Sequence, residues 1–597
     1  DRGRQKMKFI VIGGGAAGLM ATLRIAELKQ NVELFSLVPV KRSHTACAQG
    51  GINGAINTKG QNDSTQQHFE DTILGGDFLA NQPPVKAMCD AAPGLIHLLD
   101  RMGMMFTRTP EGLLDLRPFG GTKHIRTAFS GASTGQQLLY VLDEQVRRYE
   151  EQKQVTKHEH HEFIRLILDD NGECRGIVAQ DLYTMKMEAF AADGVIIATG
   201  GIGMVFGRST NGTISTGSAA SIAYQQGAIY GNGEFIQIHP TALPGEDKRR
   251  LMSESARGEG GRIWTMKDGK PWYFLEEWYP AYGNLVPRDI AARAIFKVCT
   301  EMGLGVDGQN LVNLDLTHLD PKEIDRKLGA IVEIYEKFVG ENPRVVPMKI
   351  FPSMHYSMGG LWTDYGHHTN IPGLFAAGEC DYMYHGANRL GGNSLLSATY
   401  SGMVVGPSAV NYVKDRGARK PLDSSVLQAA KEREEVVFEN LLRMDGKENP
   451  FQIHREMGDW MTENVTIQRF NKKLQETDDK LAELQERWKR VGVSDSSKHA
   501  NQVVMFTRQL WNMLEMSRVI TQGALRRNES RGGHFKPEFP ERDDENWLKT
   551  TKTTWSPDGP QFSYEEVDTS LIKPRARRYD VDNTKKSDAG QAAKGAK

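Results

Sequence analysis

Short apolar runs along this chain alternate with glycine-rich breaks, and long stretches of helical period follow in the second half. Lys8–Ile12 is apolar, Gly13-Gly14-Gly15-Ala16-Ala17-Gly18 follows, then a helical pattern over Leu19–Leu28 and a second strand at Val32–Ser36. Strand, turn, helix and strand in that order predict a Rossmann-like dinucleotide-binding opening. Residues 157–200 alternate, with a turn signal at Asn171-Gly172, and predict a β-meander feeding a strand at Gly194–Thr199. Residues 236–350 read as mixed α/β, with a helix over Arg288–Met302. Asn370–Gly378 is strand-like and Asn393–Asn411 is a helix of small residues. From Ser424 to Gln522 the period is helical and predicts an antiparallel bundle, with the charged stretch Leu474–Arg490 as a solvated face. The chain turns polar after Ser530, and 574–597 is basic, then small and polar, which predicts a disordered tail.

A chain of 597 residues is too long for one core, so several domains are expected. Lys and Arg number 74 against 75 Asp and Glu, which argues against a broad nucleic-acid surface. The five cysteines lie far apart with no C-x-x-C pair, so neither a disulfide framework, a metal site nor an iron–sulfur cluster reads out. Electrons passed to a remote carrier would need a centre on another polypeptide. No apolar run reaches the length of a membrane span and no secretory segment is evident. A soluble, cytoplasmic chain able to dock on a membrane partner is expected.

In the first glycine motif, Gly13 makes the tight turn, Gly15 admits the backbone to a pyrophosphate, and Gly18 lets the helix pack closely. The helix N-terminus attracts phosphates. No acidic residue closes the second strand, where Ser36 and Leu37 stand, and the Ser36 hydroxyl is the substitute ribose contact. Ala198-Thr199-Gly200-Gly201 and Ala376-Ala377-Gly378-Glu379 each follow a buried strand. Three such close approaches fit FAD, which runs deep through this kind of fold, better than NAD.

The stretch Arg42-Ser43-His44-Thr45-Ala46-Cys47-Ala48-Gln49-Gly50-Gly51 closely resembles the R-S-H-T-x-x-A-Q-G-G segment of succinate dehydrogenase and fumarate reductase flavoproteins. His239-Pro240-Thr241, Leu251–Gly261, Pro287-Arg288-Asp289-Ile290, His355–Gly360, His385–Leu395 and Arg542–Trp547 resemble further family segments in the same order. The resemblance runs from about Lys8 to Leu548. Ser218 stands where many members carry an aspartate, and Ser253 replaces a threonine.

The resemblance implies FAD bonded covalently to His44. It also implies contacts to FAD from Gly13, Gly15, Ala16, Ala17, Gly18, Ser36, Ser43, Thr45, Gln49, Gly50, Gly51, Thr199, Gly200, Gly201, Ser218, Glu379, Arg389, Ser394 and Leu395. The implied architecture is α/β: an FAD-binding domain (1–235 and 351–420), an α+β capping domain (236–350), a helical-bundle domain (421–530) and a small C-terminal domain (531–597). Glycine-rich junctions near 235 and 350 suggest that the cap moves. The implied partners are an iron–sulfur subunit and a membrane anchor subunit with a quinone site, at the cytoplasmic side of the cell membrane.

Fumarate and succinate are small dianions, so their site needs cationic or donor groups at both ends. His239, Ser253, His355 and Arg389 are the candidates, joined through the resemblance by Phe119 and Gly50. Arg389 can grip a carboxylate with two parallel hydrogen bonds. By resemblance, Arg288 delivers the proton and Glu254 and Arg257 relay it. An arginine acid strains the ordinary chemistry of a guanidinium, whose pKa exceeds ~12; electrostatic clamping by Arg288 is the alternative role. The expected function is quinol:fumarate reduction. Succinate oxidation is the alternative, and a soluble L-aspartate oxidase-like flavoenzyme, which lacks the covalent link, is a more distant one.

Overall fold

The computed structural model describes residues 6–585 apart from 247 and 418. Five parallel strands form the central sheet, in the order Leu374–Ala376, Gly194–Ile197, Lys8–Ile12, Asn31–Ser36, Val155–Glu159. Ile10 pairs with Val195 on one side and Glu33 on the other. The run Phe9-Ile10-Val11-Ile12 is buried on both faces, as a central parallel strand requires.

The helix Ala16–Glu27 crosses the long helix Asn393–Arg416 closely. Glycines make this possible: a Cβ on Gly402 would lie 2.7 Å from the Ala17 carbonyl oxygen, and one on Gly406 2.9 Å from Arg24 Cβ. Gly13 and Gly18 are fixed just as tightly. A Cβ on Gly13 would lie 2.0 Å from the Ala198 carbonyl oxygen, and one on Gly18 1.8 Å from the Gly13 carbonyl oxygen.

The expected meander is a three-stranded antiparallel sheet, His161–Leu168, Cys174–Asp181 and Met187–Ala191. A six-stranded sheet occupies the next region, in the order Arg250–Leu251, Ile236–Leu243, Met348–Ser357, Val312–Asp315, Arg262–Lys267, Lys270–Trp272. It carries the helices Arg288–Phe296 and Pro321–Val339. The first of these continues as a π-turn over Lys297–Glu301, so the expected helix to Met302 changes its winding near the end.

The bundle differs from expectation in two ways. Pro450–Asn464, Asn471–Trp488 and Gln502–Arg526 pack together, whereas Ser424–Leu442 lies on the strand Met187–Ala191. Arg518 pairs with Asp478 while Trp488 bonds the Thr507 carbonyl, so the last two helices run antiparallel. The charged stretch is more than a solvated face: Lys480 and Arg487 both pair with Glu456 on the neighbouring helix.

The tail also departs from expectation, because part of it is packed. Arg577 bonds both oxygens of Asp289 at 2.7 and 2.8 Å, and donates to the carbonyls of Leu74 and Gly75. Tyr579 is buried against Tyr282. The remainder of the expected disordered tail, 586–597, lies outside the described residues. No helix among the described residues is long and apolar enough to cross a membrane.

Candidate active site

A cavity of roughly 590 Å³ runs from the first βα turn to the face of the six-stranded sheet. Its lining includes Gly13, Gly15, Ala16 and Ala17 of the first turn, and Ser36, Ser43, His44, Thr45, Gln49, Gly50 and Gly51. Thr199, Gly200, Ser218, Glu379, Arg389, Ser394 and Leu395 complete the expected cofactor set. Two expected contacts do not line it. Gly18 packs on the Gly13 carbonyl, and Gly201 packs on Glu379, whose Oε1 would lie 2.2 Å from an added Cβ. The Ser36 hydroxyl lines the cavity but donates to the Val38 carbonyl, so towards a ribose it can only accept.

These residues fit a dinucleotide cofactor. The N-cap residue Gly15 of the helix Ala16–Glu27 offers no side-chain cap, so the N–H groups of its first turn other than that of Ala16 are left for an anion. The Thr45 hydroxyl bonds the Ala16 N–H at 3.2 Å, bringing the His44 loop to that helix end. Ser43 Oγ and Gln49 Oε1 are buried without a partner, as donors and acceptors meant for a bound group would be. Burial pushes the Glu379 carboxyl up to about 7.

His44 is half-exposed, but to the cavity rather than to bulk water. Burial, with Lys248 nearby, lowers its pKa to about 4, so the ring is neutral. Its Nδ1 accepts from the Gly212 N–H at 3.2 Å. That leaves Nε2 as the nitrogen without a protein partner among the described residues.

Arg117, which sequence reasoning missed, fixes the same loop. It is buried, donates to the carbonyls of Gln49, Gly50 and Gly131, and sits 4.1 Å over the Phe129 ring. Burial lowers its pKa to about 10.

At the other end of the cavity stand Phe119, Arg288, His355 and Arg389. Phe119 packs on Gly50, where a Cβ would lie 2.9 Å from the ring. His239 is fully buried behind His355, with ring centroids 5.0 Å apart and nearly perpendicular. Its Nδ1 accepts from the Thr241 N–H at 3.1 Å and its Nε2 has no partner. Burial and the nearby arginines hold both imidazoles well below their ordinary pKa, so both are neutral. The Thr210 hydroxyl, another residue the sequence did not reveal, bonds His355 Nδ1.

Glu254 lies between two guanidiniums, 3.2 Å from Arg257 and 3.2 Å from Arg288. Burial opposes its charge, but Arg288 and Arg257 outweigh burial and hold the carboxyl below its usual range. Arg257 also donates to the Asn284 carbonyl. Arg389 lies 4.1 Å over the Tyr356 ring, its Nε has no partner, and burial and Arg288 lower its pKa to about 9. Ser253 departs from expectation: its hydroxyl bonds Ser255 at 2.7 Å in a local turn and does not line the cavity.

The sequence matches the model of the FAD binding domain over residues 8–395 and that of the fumarate reductase flavoprotein C-terminus over 454–579. It is 65% identical to the succinate dehydrogenase flavoprotein subunit of Bacillus subtilis (strain 168), across 96% of this chain and 98% of that one. The chain belongs to the succinate dehydrogenase/fumarate reductase flavoprotein family. It is therefore a flavoprotein oxidoreductase that binds FAD. Two solved structures share the family's fold with it. One is a mutated flavoprotein of E. coli quinol fumarate reductase, with 34% identity, a TM-score of 0.91, and coverage of 97% and 99% of the two chains. The other is a quinol-fumarate reductase with menaquinol molecules, with 34% identity, a TM-score of 0.88, and coverage of 96% and 100%.

Proposed function

We propose that the chain interconverts succinate and fumarate, with Arg288 moving the proton and FAD bonded to His44 Nε2. The charge of the inner site carries the reading. Arg257, Arg288 and Arg389 face one carboxylate, Glu254, and both imidazoles are neutral. Within this cluster three positive charges less one leave a surplus of two, and Glu379, raised to about 7, takes off only part of a charge near pH 7, so the site stays positive towards a dianion.

FAD, when bound, supplies two-electron hydride exchange with the substrate. Arg389 holds one carboxylate, and its partnerless Nε is the free donor. In reduction, Arg288 gives a proton to the carbon that does not take the hydride; in oxidation it removes that proton. In reduction Glu254, ionised at rest, returns to Arg288 a proton that reaches it from solvent by way of Arg257, and in oxidation the proton leaves by the same route. Loss of Arg288 is expected to lower kcat by about 10²–10⁴-fold with FAD retained. An Arg288→Ala protein within tenfold of the unaltered rate rejects the acid role.

Succinate oxidation is the proposed physiological direction. It is favoured by the 65% identity to a protein named succinate dehydrogenase. Fumarate reduction, the direction expected from the sequence, is the second reading, favoured by the TM-score of 0.91 to a quinol fumarate reductase. The ratio of succinate–quinone to quinol–fumarate rates in the intact complex decides: a ratio below one overturns the oxidative assignment.

An iron–sulfur subunit and a membrane anchor subunit with a quinone site are the proposed partners, with the chain peripheral at the cytoplasmic face. The five scattered cysteines support this, since the electrons need centres that this chain's thiols do not group to hold. The covalent link is tested by flavin fluorescence on the denatured chain; flavin released on denaturation excludes it.

A further inference from the structure

One buried amide joins the two cationic arms of the site. Gln237 is 1% exposed on the strand Ile236–Leu243, two residues before His239. Its Oε1 accepts from Arg288 Nη1 at 3.1 Å. Its Nε2 donates to the Arg389 backbone carbonyl at 2.7 Å and to Asn388 Oδ1 at 3.1 Å. A guanidinium only donates and a carbonyl only accepts, so these partners fix which way round the amide sits.

We propose that Gln237 is a positioning residue for proton transfer, setting the Arg288 guanidinium relative to the Arg389 loop. This rests on the reading of Arg288 as the proton carrier. A guanidinium has five N–H groups. Glu254 takes the one on Nε and one on Nη2, and Gln237 takes one on Nη1. One N–H on Nη1 and one on Nη2 are left for the cavity that Arg288 lines. Glu254 alone holds a single edge of the guanidinium and permits it to swing about that edge. The second anchor removes the swing. Because the same amide holds the Arg389 backbone, proton donor and carboxylate clamp keep a fixed separation.

The neutrality of the amide matters as much as its reach. A carboxylate at this position would give Arg288 an anion at two edges, and the guanidinium would yield its proton less readily. It would also cut the cluster's positive surplus from two to one and weaken the attraction for a dianion. Glutamine supplies the geometry without the charge.

The test uses Gln237→Leu, Gln237→Glu and Arg288→Ala in the intact complex, with flavin content measured by absorbance. Loss of an anchor that places a reacting group within about 1 Å is expected to lower kcat about 10²-fold in Gln237→Leu, with a smaller rise in KM for succinate. Gln237→Glu is expected to lose more at pH 7 and to recover part of its kcat towards acid pH, as the new carboxyl protonates and the charge disappears. A packing role predicts neither the acid recovery nor the split between kcat and KM. Should Gln237→Leu lose its flavin, Gln237→Glu carries the decision, since it keeps the shape. The proposal is overturned if Gln237→Glu with full flavin content keeps the unaltered kcat and pH profile, or is equally inactive at every pH. Arg288→Ala with near-normal activity removes the underlying reading separately.

Discussion

At the scale of single residues, the inner site depends on one anion among several cations. Glu254 is 1% exposed and contacts both Arg257 and Arg288. Replacing it with glutamine leaves those two buried guanidiniums, with Arg389, facing one another without a counter-charge. Removing one member of a buried pair costs about 3–5 kcal/mol. Glu254→Gln is therefore expected to lower the unfolding free energy by about 3 kcal/mol and kcat by about 10²–10⁴-fold, since Arg288 loses its proton source as well as its anchor. Steady-state rates together with thermal melts of the flavin-loaded protein check this; a kcat within threefold of the unaltered enzyme defeats the relay. Glu254, Arg288, His355 and Arg389 were legible in the sequence because each lies inside a compact local motif. Gln237 and Arg117 were not. Gln237 reaches a carbonyl 152 positions away and Arg117 one 67 positions away. Only the buried polar residue in Ile236-Gln237-Ile238 hinted at the first, and nothing local marked the second.

At the scale of elements, the opening strand, turn and helix were readable because hydrophobic period and glycine sterics act locally. The C-terminal segment was not readable, since its composition is that of a disordered tail while its burial comes from distant partners. Arg577 meets Asp289 across 288 positions of sequence. Asp289 adjoins Arg288 at the start of the helix Arg288–Phe296, and Leu74 and Gly75 belong to the helix Thr65–Gly75. Arg577 thus ties the helix that carries Arg288 to a helix of the FAD-binding region. Burial opposes the Asp289 charge, but Arg577 and Arg293 overcome it and hold the carboxyl below its usual range. Arg577→Ala leaves Asp289 only the partly exposed Arg293, so a loss of about 3 kcal/mol is expected. Denaturant unfolding of the flavin-loaded chain measures it. An unchanged midpoint would mean that the segment contributes nothing to the joining of these two helices.

At the scale of the whole molecule, buried neutral histidines set the acid limit. Burial lowers the pKa of His68 to about 3, and holds His239, His355, His385 and His534 well below the ordinary value. In the unfolded chain each titrates near 6.5. Below about 6.5 the unfolded state therefore takes up protons that the folded state refuses, and stability falls as the pH falls. Each such histidine contributes about 1.4 kcal/mol per pH unit until its folded pKa is reached. Glu379 acts in the opposite sense, because its raised pKa of about 7 favours the folded state as acid is added. Burial raises Glu434 and Glu515 as well, but three raised carboxyls against seven lowered imidazoles, His44 and His454 included, do not reverse the trend. Glu254 and Asp289, held low by their arginines, withdraw their stability only below the unfolded carboxyl range near ~4. The window between about 6.5 and 4 thus belongs to the histidines. The flavin-loaded protein is expected to melt about 5–10 °C lower at pH 5 than at pH 7. His534→Gln, at a buried position that does not line the cavity, should flatten that slope. A melting temperature equal or higher at pH 5 would show that these imidazoles accept protons in the folded state, and with that the neutral His239 and His355 on which the charge match to a dianion depends would be lost.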